Sequence, residues 1–372
     1  MPSDPSVSNL SKVLHQWGLW MKSAILRSDW HEWSASVAAK NPWFEPIMLE
    51  HALNAWADAL QPANLEHWLC KYLKEKSKTI NSTRVGLILP GNIPLAGLHD
   101  VICTLIAGHK AQVKASSEDA CLISWAIQGL LALQPEWKSR FELVQKVNNV
   151  DALIATGSST TLPYFEQYFG HIPHIFRSHR NSIAILDGKE STEDWAGLGQ
   201  DIFLYYGKGC RNVSKLLIPE GMNPEHILDG LVHYPWEGQH YRYRNNLDYQ
   251  LALHMLDRTP FYHNGSVILR QNQSASSPLA VLHFDYYQSG EDLANKILHD
   301  LPAIQCCSGH QLIQRWGQDS TFRMCFDLDQ WNSWCNHTVE FGQCQFPEIE
   351  RYADGIDTMT FLMGLSRDLE YL

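Results

Sequence analysis

Residues 85–117, VGLILPGNIPLAGLHDVICTLIAGHKAQVKASS, decide the fold class. The stretch begins with a short apolar run, VGLILP, continues with a helical pattern over 95–107 and returns to a second apolar run, AQVKAS. Short apolar strands that alternate with helices are joined by right-handed crossovers and form a parallel sheet that is covered on both faces. The stretch therefore predicts an α/β fold with a parallel sheet.

The same alternation continues beyond residue 117. A helix is predicted over 119–133 and another over 160–169, and strands are predicted in FELVQKV, DALIATG, HIFRS and SIAIL. Parallel sheets bind ligands at the carboxyl ends of their strands. Three of those ends are turns of small and polar residues, at 90–92, 114–117 and 157–159. No G-x-G-x-x-G follows any strand, so the ordinary dinucleotide fingerprint is absent.

Two further regions flank this alternation. Helical periodicity dominates residues 1–80. After Asp187 comes the acidic segment GKESTEDWAG, residues 188–197, which we interpret as a hinge between domains. A second mixed part with strands near 267–269 and 280–284 follows this segment.

Composition excludes several classes of protein. A net charge of -11 over 372 residues argues against nucleic acid and anionic membrane as partners, because both bind cationic surfaces. The nine cysteines form an odd number with no C-x-x-C pair and no zinc spacing, so neither a disulfide framework nor a metal site is expected. There is no signal-peptide pattern, and the longest near-apolar run, 121–133, is too short to span a bilayer. We expect a soluble protein of the reducing cytoplasm.

Cys210 is the candidate nucleophile, in the stretch YYGKGCRNVSKLLIP at 205–219. A cysteine is nucleophilic as its thiolate, which nearby cations favour. Three cations of the stretch supply that setting: Lys208, Arg211 and Lys215. Gly207 and Gly209 allow a sharp turn that brings peptide N–H groups close to a substrate oxygen. On these residues alone, a buried structural cysteine on a strand is an equally good interpretation.

Taken together and in this order, the strand-end turns and the cysteine stretch resemble the aldehyde dehydrogenase superfamily. Within it they resemble most closely the fatty acyl-CoA reductase branch typified by the LuxC subunit of bacterial luminescence. The resemblance covers residues 85–220 and 339–360. The segments that carry it are PGNIPLAGLHD (90–100), GHKAQVKASS (108–117), IATGSS (154–159), RNSIAIL (180–186), YYGKGCRNVSKLLIP (205–219), VEFGQCQFP (339–347) and YADGIDTM (352–359).

The resemblance implies an aldehyde dehydrogenase-like fold with a Rossmann-type cofactor domain and an α/β catalytic domain. We expect four regions: a helical N-terminal segment at 1–80 packed on the cofactor domain, an NADP-binding domain at 81–187, a catalytic domain bearing Cys210 at 188–340, and a C-terminal tail at 341–372. The resemblance also implies a homo-oligomer. Because the chain is short for the superfamily, we expect its oligomerisation arm to be reduced or missing.

Two catalytic residues follow from the resemblance. Cys210 matches the nucleophile that takes the acyl group as a thioester. Asn92 matches the asparagine whose side-chain amide, together with the backbone N–H of the nucleophile, holds the oxyanion. The alternative for Asn92 is closure of the turn after Gly91, a common use of asparagine.

The cofactor residues implied by the resemblance come from three turns and one late motif. They are Lys114, Ser116, Ser117, Gly157, Ser158 and Phe341. Ser117 stands where members that prefer NAD carry a glutamate, and this favours NADPH because a carboxylate would repel a 2'-phosphate. Glu118, one place later, weakens that preference, and Lys114 has a solvated strand end as its alternative. Gly157 and Ser158 match the turn at the helix beneath the pyrophosphate.

The departures from the family pattern indicate the direction of the reaction. Hydrolytic members use a glutamate to activate water, but alignment on Ser182 puts Arg177 there, with no carboxylate from 171 to 181.

In the late motif, Phe341 is kept, whereas Val339 takes the carboxylate position and Glu340 stands one place late. Several cations are candidates for the phosphates of coenzyme A or of the cofactor: Arg177, His179, Arg180, Arg242 and Arg244.

The expected function is the NADPH-dependent reduction of a fatty acyl-CoA, or another activated acyl donor, to an aldehyde. An acyl ligase or transferase is the implied partner. Two alternatives stay open: an aldehyde dehydrogenase that runs toward the acid, and a non-catalytic acyl-binding or scaffolding subunit.

Overall fold

The structure is a computed structural model that describes residues 5–73, 82–158, 160–178, 180–234 and 240–365. The chain divides into two compact units, Met1–His179 with Pro347–Leu372, and Arg180–Phe346. Within the described residues, no helix is both long and apolar enough to cross a membrane.

The α-helices, in chain order, are α1 (Pro5–Ser23), α2 (Trp30–Lys40), α3 (Pro46–Ala59), α4 (Pro62–Leu73), α5 (Leu98–Ile106), α6 (Ala120–Leu133), α7 (Leu162–Phe169), α8 (Thr192–Phe203), α9 (Pro224–Leu231), α10 (Tyr241–Leu256), α11 (Gly290–Asp300), α12 (Leu312–Gln318), α13 (Ser320–Arg323), α14 (Leu328–His337) and α15 (Thr358–Leu365). The strands are β1 (Arg84–Ile88), β2 (Lys110–Lys114), β3 (Phe141–Leu143), β4 (Ala152–Thr156), β5 (His174–Arg177), β6 (Asn181–Ile185), β7 (Val213–Pro219), β8 (Tyr262–His263), β9 (Ile268–Gln271), β10 (Val281–Tyr287), β11 (Ile304–Ser308) and β12 (Thr338–Val339). Short 3₁₀ helices occupy Ala24–Leu26, Pro135–Arg140, Leu204–Gly207, Leu301–Ala303 and Ala353–Gly355.

The first unit is built on a five-stranded sheet in the order β3-β2-β1-β4-β5, and all its pairings are parallel. Val85, Leu87 and Ile154 on the central strands are at most 1% exposed. Strands that are buried on both faces read as continuous apolar runs, and this is why VGLILP predicted the sheet correctly. The expected α/β class is confirmed.

The N-terminal helices pack within this unit through tryptophans of α1. Trp17 is fully buried, and its indole N–H donates to the carbonyl oxygen of Ala126 on α6 at 2.8 Å. Gly129 leaves room for the neighbouring indole, since a Cβ there would lie 2.2 Å from the ring of Trp20. A buried tryptophan removes a large apolar area from water while its N–H keeps a partner.

The C-terminal segment is divided between the units. His109 Nε2 lies 2.8 Å from the carbonyl oxygen of Leu362 on α15, within the first unit. Residues 341–346 belong to the second unit. The sequence suggested one tail over 341–372, but a return of the chain to an earlier sheet is a long-range contact that leaves no local pattern. Residues 366–372 lie outside the described residues.

The second unit contains a seven-stranded sheet in the order β12-β11-β6-β7-β10-β9-β8, and only the β8–β9 pair is antiparallel among the described strands. β6 pairs with β7 and β11, so Asn181–Ile185 belongs to this unit. The sequence pattern had suggested that this strand lies in the cofactor domain, with a boundary at 187. A buried apolar strand does not reveal to which of two parallel sheets it belongs.

The acidic segment 188–197 lies within the second unit and begins a helix. The Ser191 hydroxyl accepts the N–H of Asp194 at 3.1 Å, and the Asp194 carboxylate accepts the N–H of Ser191 at 2.9 Å. This is a capping box at the start of α8, where carboxylates also interact favourably with the helix dipole. The acidic residues therefore start a helix, and the interpretation as a hinge between domains is wrong.

Candidate active site

Cys210 lies in a tight loop between the 3₁₀ helix Leu204–Gly207 and β7. The chain enters this loop through three successive residues with left-handed φ values: 54° at Tyr205, 57° at Tyr206 and 71° at Gly207. Such values are strained for side chains with a Cβ and persist where the surroundings fix them. Both tyrosines are buried, whereas Cys210 is half-buried. The loop thus presents the cysteine on an ordered backbone.

Asn212 closes the loop around Cys210. Its Oδ1 accepts the N–H of Gly209 at 2.8 Å, and its own N–H donates to the Gly209 carbonyl at 3.0 Å. Its Nδ2 donates to the Leu204 carbonyl at 2.8 Å. This residue was not among those singled out from the sequence. The G-x-x-N spacing of 209–212 is the pattern that would have suggested it.

Ser182 on β6 joins the Cys210 loop to β11. Its hydroxyl donates to the Cys210 carbonyl at 3.0 Å and accepts the N–H of Cys306 at 3.1 Å. The register of β6 is irregular on both sides at this level, against β7 and against β11. The buried hydroxyl supplies the hydrogen bonds that the irregular ladders omit.

Arg211, the residue after Cys210, contacts a second cysteine. Its Nη1 donates to Cys306 Sγ at 3.1 Å, and Cys306 is 1% exposed. Burial alone would lower the pKa of Arg211, but the sulfurs of Cys306 and Cys210 beside it raise that pKa above its ordinary value. A hydrogen bond from the Cys344 thiol lowers the pKa of Cys306 below its ordinary value, helped by the Arg211 guanidinium and opposed by burial. The contact with Arg211 therefore favours the thiolate form of Cys306.

Lys215 does not contribute its charge to the Cys210 loop. It is 2% exposed on β7, and its ammonium donates to the Asp300 carboxylate at 2.7 Å and to the Gln273 carbonyl at 2.6 Å. The expectation from the sequence that it is one of the cations around Cys210 is wrong. Side chains alternate between the two faces of a strand, and on β7, which begins at Val213, the side chain of Lys215 points into the interior.

The Phe341 turn is held in the second unit by a buried carboxylate. Asp201 on α8 is fully buried and accepts the N–H groups of Gly342 at 2.9 Å and of Cys344 at 3.0 Å. Burial raises the pKa of Asp201 to about 7. A Cβ on Gly197 would lie 2.8 Å from the Phe341 carbonyl carbon, so the turn sits directly on the backbone of α8. Phe341 itself is half-buried.

In the first unit, Asn92 stands half-buried in the turn that follows β1. Gly91 packs against the turn after β2, because a Cβ there would lie 2.4 Å from the Ser116 side chain. Leu95 has a φ of 60°, and its N–H donates to the buried Asp119 carboxylate at 3.0 Å. This turn delays the start of α5 to Leu98, although the sequence predicted a helix from 95.

The predicted cofactor residues of this unit share one edge of its sheet. Lys114 ends β2 and is half-buried, and Ser117 beyond it is exposed. Gly157 follows β4, where a Cβ would lie 2.9 Å from the Phe165 ring. The Ser158 N–H donates to the Thr161 hydroxyl at 3.0 Å at the start of α7. Ser159, the last residue of this predicted turn, lies outside the described residues.

The cations proposed for phosphate contacts are mostly engaged elsewhere. Arg177 is 4% exposed and donates to the Asp100 carboxylate at 2.5 Å and to the Thr358 hydroxyl at 2.7 Å. Arg180 donates to the Ile304 carbonyl at 3.3 Å, and Arg242 to the Tyr241 hydroxyl at 2.9 Å. Arg244 is exposed on α10. His179 lies outside the described residues.

The residues of the first unit fit the dinucleotide that this fold implies. The carboxyl ends of β1, β2 and β4 carry small and polar turns at 90–92, 114–117 and 157–158, with an ammonium at the end of β2. A Cβ at Gly91 or Gly157 would fill the space that these turns occupy. No group of three or more His, Cys, Asp or Glu side chains among the described residues is placed to hold a metal ion.

Comparison with known proteins gives a structural likeness. No protein-family model and no curated protein matches the sequence. Aldehyde dehydrogenase 21 from Physcomitrella patens, in complex with succinate, has a TM-score of 0.62 at 11% identity over 96% of this chain and 84% of that chain. Apo betaine aldehyde dehydrogenase from Staphylococcus aureus has a TM-score of 0.61 at 12% identity over 90% and 75%.

A third structure holds a cofactor. Aldehyde dehydrogenase from Mycobacterium tuberculosis, complexed with NAD+, has a TM-score of 0.56 at 13% identity over 79% of this chain and 72% of that chain. All three of these solved structures are aldehyde dehydrogenases, and at such identities the likeness concerns the fold. This chain therefore has the aldehyde dehydrogenase fold.

Proposed function

We propose that the protein is an oxidoreductase that reduces acyl-CoA, with a fatty acyl group, to the aldehyde through a thioester on Cys210. NADPH is the proposed hydride donor. The fold supports an oxidoreductase of aldehydes, and the ordered loop around Cys210 supports a nucleophilic role. Another activated acyl donor is an equivalent substrate in this proposal. An acyl ligase or transferase as partner and a cytoplasmic homo-oligomer are parts of it.

The chemistry assigned to the chain has two halves. The Cys210 thiolate attacks the thioester carbonyl carbon, and the Asn92 amide and the Cys210 N–H stabilise the oxyanion. The bond to the coenzyme A sulfur breaks, and that thiolate leaves with the electron pair. When bound, the cofactor supplies one hydride to the carbonyl carbon of the acyl-enzyme. The alkoxide of the resulting thiohemiacetal then collapses to the aldehyde, and the carbon–sulfur bond breaks with its electron pair returning to Cys210 as the thiolate.

The position of Arg177 and its pairing with Asp100 carry the proposal. In the aligned sequence it takes the place where hydrolytic aldehyde dehydrogenases have their water-activating glutamate, and its guanidinium is bound by Asp100 and Thr358. A paired cation cannot serve as a general base. The acyl-enzyme therefore lacks the group that would hydrolyse it, and hydride is left as the route of release.

The preference for NADPH rests on the turn after β2. Ser117 is exposed there, and it brings no carboxylate to repel a 2'-phosphate. Lys114 at the end of the strand is the cation that would hold the ribose or its phosphate. Phe341 is also proposed as a cofactor-binding residue.

One experiment separates this function from its alternatives. The protein is incubated with an acyl-CoA of isotopically marked chain, and peptides are analysed by mass spectrometry before and after NADPH is added. We expect a thioester adduct on Cys210 that leaves as aldehyde. Cys210→Ala should form no adduct, whereas Cys325→Ala, a change at another half-buried cysteine of the same unit, should behave like the wild type.

The other outcomes are equally informative. Release as the acid without added cofactor would indicate a dehydrogenase that runs toward the acid. The absence of both an adduct and cofactor binding would indicate an acyl-binding or scaffolding subunit. Either result overturns the proposal.

A further inference from the structure

Arg211 lies between two cysteines of the second unit. It follows Cys210 directly in the chain, and its Nη1 donates to Cys306 Sγ at 3.1 Å. The two cysteines are also joined through Ser182, which donates to the Cys210 carbonyl and accepts the Cys306 N–H. Cys306 is thus a fixed neighbour of the nucleophile loop, and the proposed function gives it no role.

The surroundings of the Cys306 sulfur favour its thiolate form. It is 1% exposed, and Cys344 and Arg211 both donate hydrogen bonds to its sulfur. Burial raises the pKa of Cys344 well above its ordinary value, so Cys344 is the protonated member of the pair. Arg211 is half-buried, and its hydrogen bond to the Cys306 sulfur at 3.1 Å favours the thiolate form of that sulfur.

The charge of Arg211 is therefore shared. A thiolate 3.1 Å from the guanidinium neutralises much of its field at nearby groups. Cys210, the preceding residue, is one of the groups that raise the pKa of Arg211. The Cys210 sulfur and the Arg211 guanidinium therefore interact electrostatically. The Cys306 thiolate thus weakens the positive potential that the Arg211 guanidinium produces at Cys210.

We propose that Cys306 is a positioning residue for the nucleophile: as a thiolate it holds the Arg211 guanidinium toward β11 and thereby limits the positive charge available to Cys210. The proposal rests on the proposed role of Cys210. It adds a second thiol that sets how much of the nucleophile is thiolate at a given pH, without touching the substrate.

Other charged groups lie near Cys306 and contribute to the same balance. Asp201 accepts the backbone N–H of Cys344, and His337 at the end of α14 favours the Cys306 thiolate. Cys307 is the natural control, because it is adjacent on β11 but packs in the opposite core, where burial raises its pKa to about 12.

The test measures the alkylation of Cys210 by iodoacetamide as a function of pH. The full-length protein is used, and the modified peptide is quantified by mass spectrometry. This readout needs neither acyl-CoA nor cofactor, so it is independent of whether the proposed reaction occurs. In Cys306→Ser the thiolate is lost, and we expect the pH midpoint to fall by about 0.5–1 unit, which raises the rate at neutral pH about 3- to 10-fold.

Three further variants complete the design. Cys307→Ser should leave the profile unchanged. Cys306→Asp keeps an anion beside Arg211 and should keep the midpoint of the wild type, so it reports on the charge even if the serine variant folds poorly. In an Arg211→Gln background, Cys306→Ser should have no effect, because the two residues act through one interaction.

Two results would overturn the proposal. The first is a folded Cys306→Ser protein, judged by circular dichroism, whose Cys210 midpoint equals that of the wild type. The second is an equal shift in Cys307→Ser, which would indicate a general loss of packing.

Discussion

The Arg177 guanidinium and the Asp100 carboxylate form an ion pair inside the first unit, with side chains only 5% and 6% exposed. The Thr358 hydroxyl accepts a second hydrogen bond from the guanidinium. Burial opposes the charge, but Asp100 raises the pKa of Arg177 above its ordinary value. The hydrogen bonds of Arg177 to Asp100 and Thr358 therefore connect β5 with α5 and with α15.

Loss of Arg177 should destabilise the first unit. In Arg177→Gln the Asp100 carboxylate is left buried without its cation, and we expect the free energy of unfolding to fall by about 3–5 kcal/mol. Urea denaturation followed by tryptophan fluorescence measures this. The matched control is Arg27→Gln, which breaks the exposed pair with Asp29 and should leave the curve unchanged. Equal curves for the two variants would show that the buried pair has no such role.

Loss of the Ser182 hydroxyl should loosen the Cys210 loop. Ser182→Ala deprives the Cys210 carbonyl and the Cys306 N–H of a partner, and each unpaired buried group costs about 1–3 kcal/mol. We expect lower stability together with a slower reaction of Cys210 with iodoacetamide, because the loop no longer presents the thiol in one arrangement. Ser36→Ala, at an exposed serine of α2, is the control. An unchanged alkylation rate in Ser182→Ala would contradict this account of the loop.

The first sheet could be predicted from the sequence, whereas the second could be predicted only in part. Short apolar runs such as VGLILP identify strands buried on both faces, and the positions of Asn92, Lys114 and Gly157 after strands follow from the same pattern. The assignment of β6 to the second sheet was missed, because pairing partners are chosen by contacts far along the chain. The helix start in segment 188–197 was missed because acidic residues suit a helix start as well as a linker.

The side-chain partners of the residues around Cys210 could not be predicted from the sequence. Lys215 looked like a cation near Cys210, but its position on a strand sends it to Asp300. Arg211 has no feature in the sequence that connects it with Cys306, which is 95 positions later. Such pairs depend on which strands become neighbours, and local patterns do not contain that information.

Asp201 should make stability depend on pH in a definite direction. Its pKa is about 7 in the folded protein, against an ordinary value of 3.8. The folded state therefore holds the proton more tightly, so the contribution of this group is complete below about pH 4 and is lost as the pH rises to about 7. Asp201→Asn should flatten that part of the stability curve, whereas Asp229→Asn, at an exposed site on α9, should not. A fall in stability between pH 4 and 7 that is equally large in the wild type and in Asp201→Asn would rule this out.

The central claim is that hydride, and not water, releases the acyl group from Cys210. The most direct measurement is a single turnover with acyl-CoA and NADPH deuterated at the transferable position, with the product identified by mass spectrometry. We predict an aldehyde that carries one deuterium on its carbonyl carbon, and no product from Cys210→Ala. Release of the acid, or of an aldehyde without deuterium, would contradict the account.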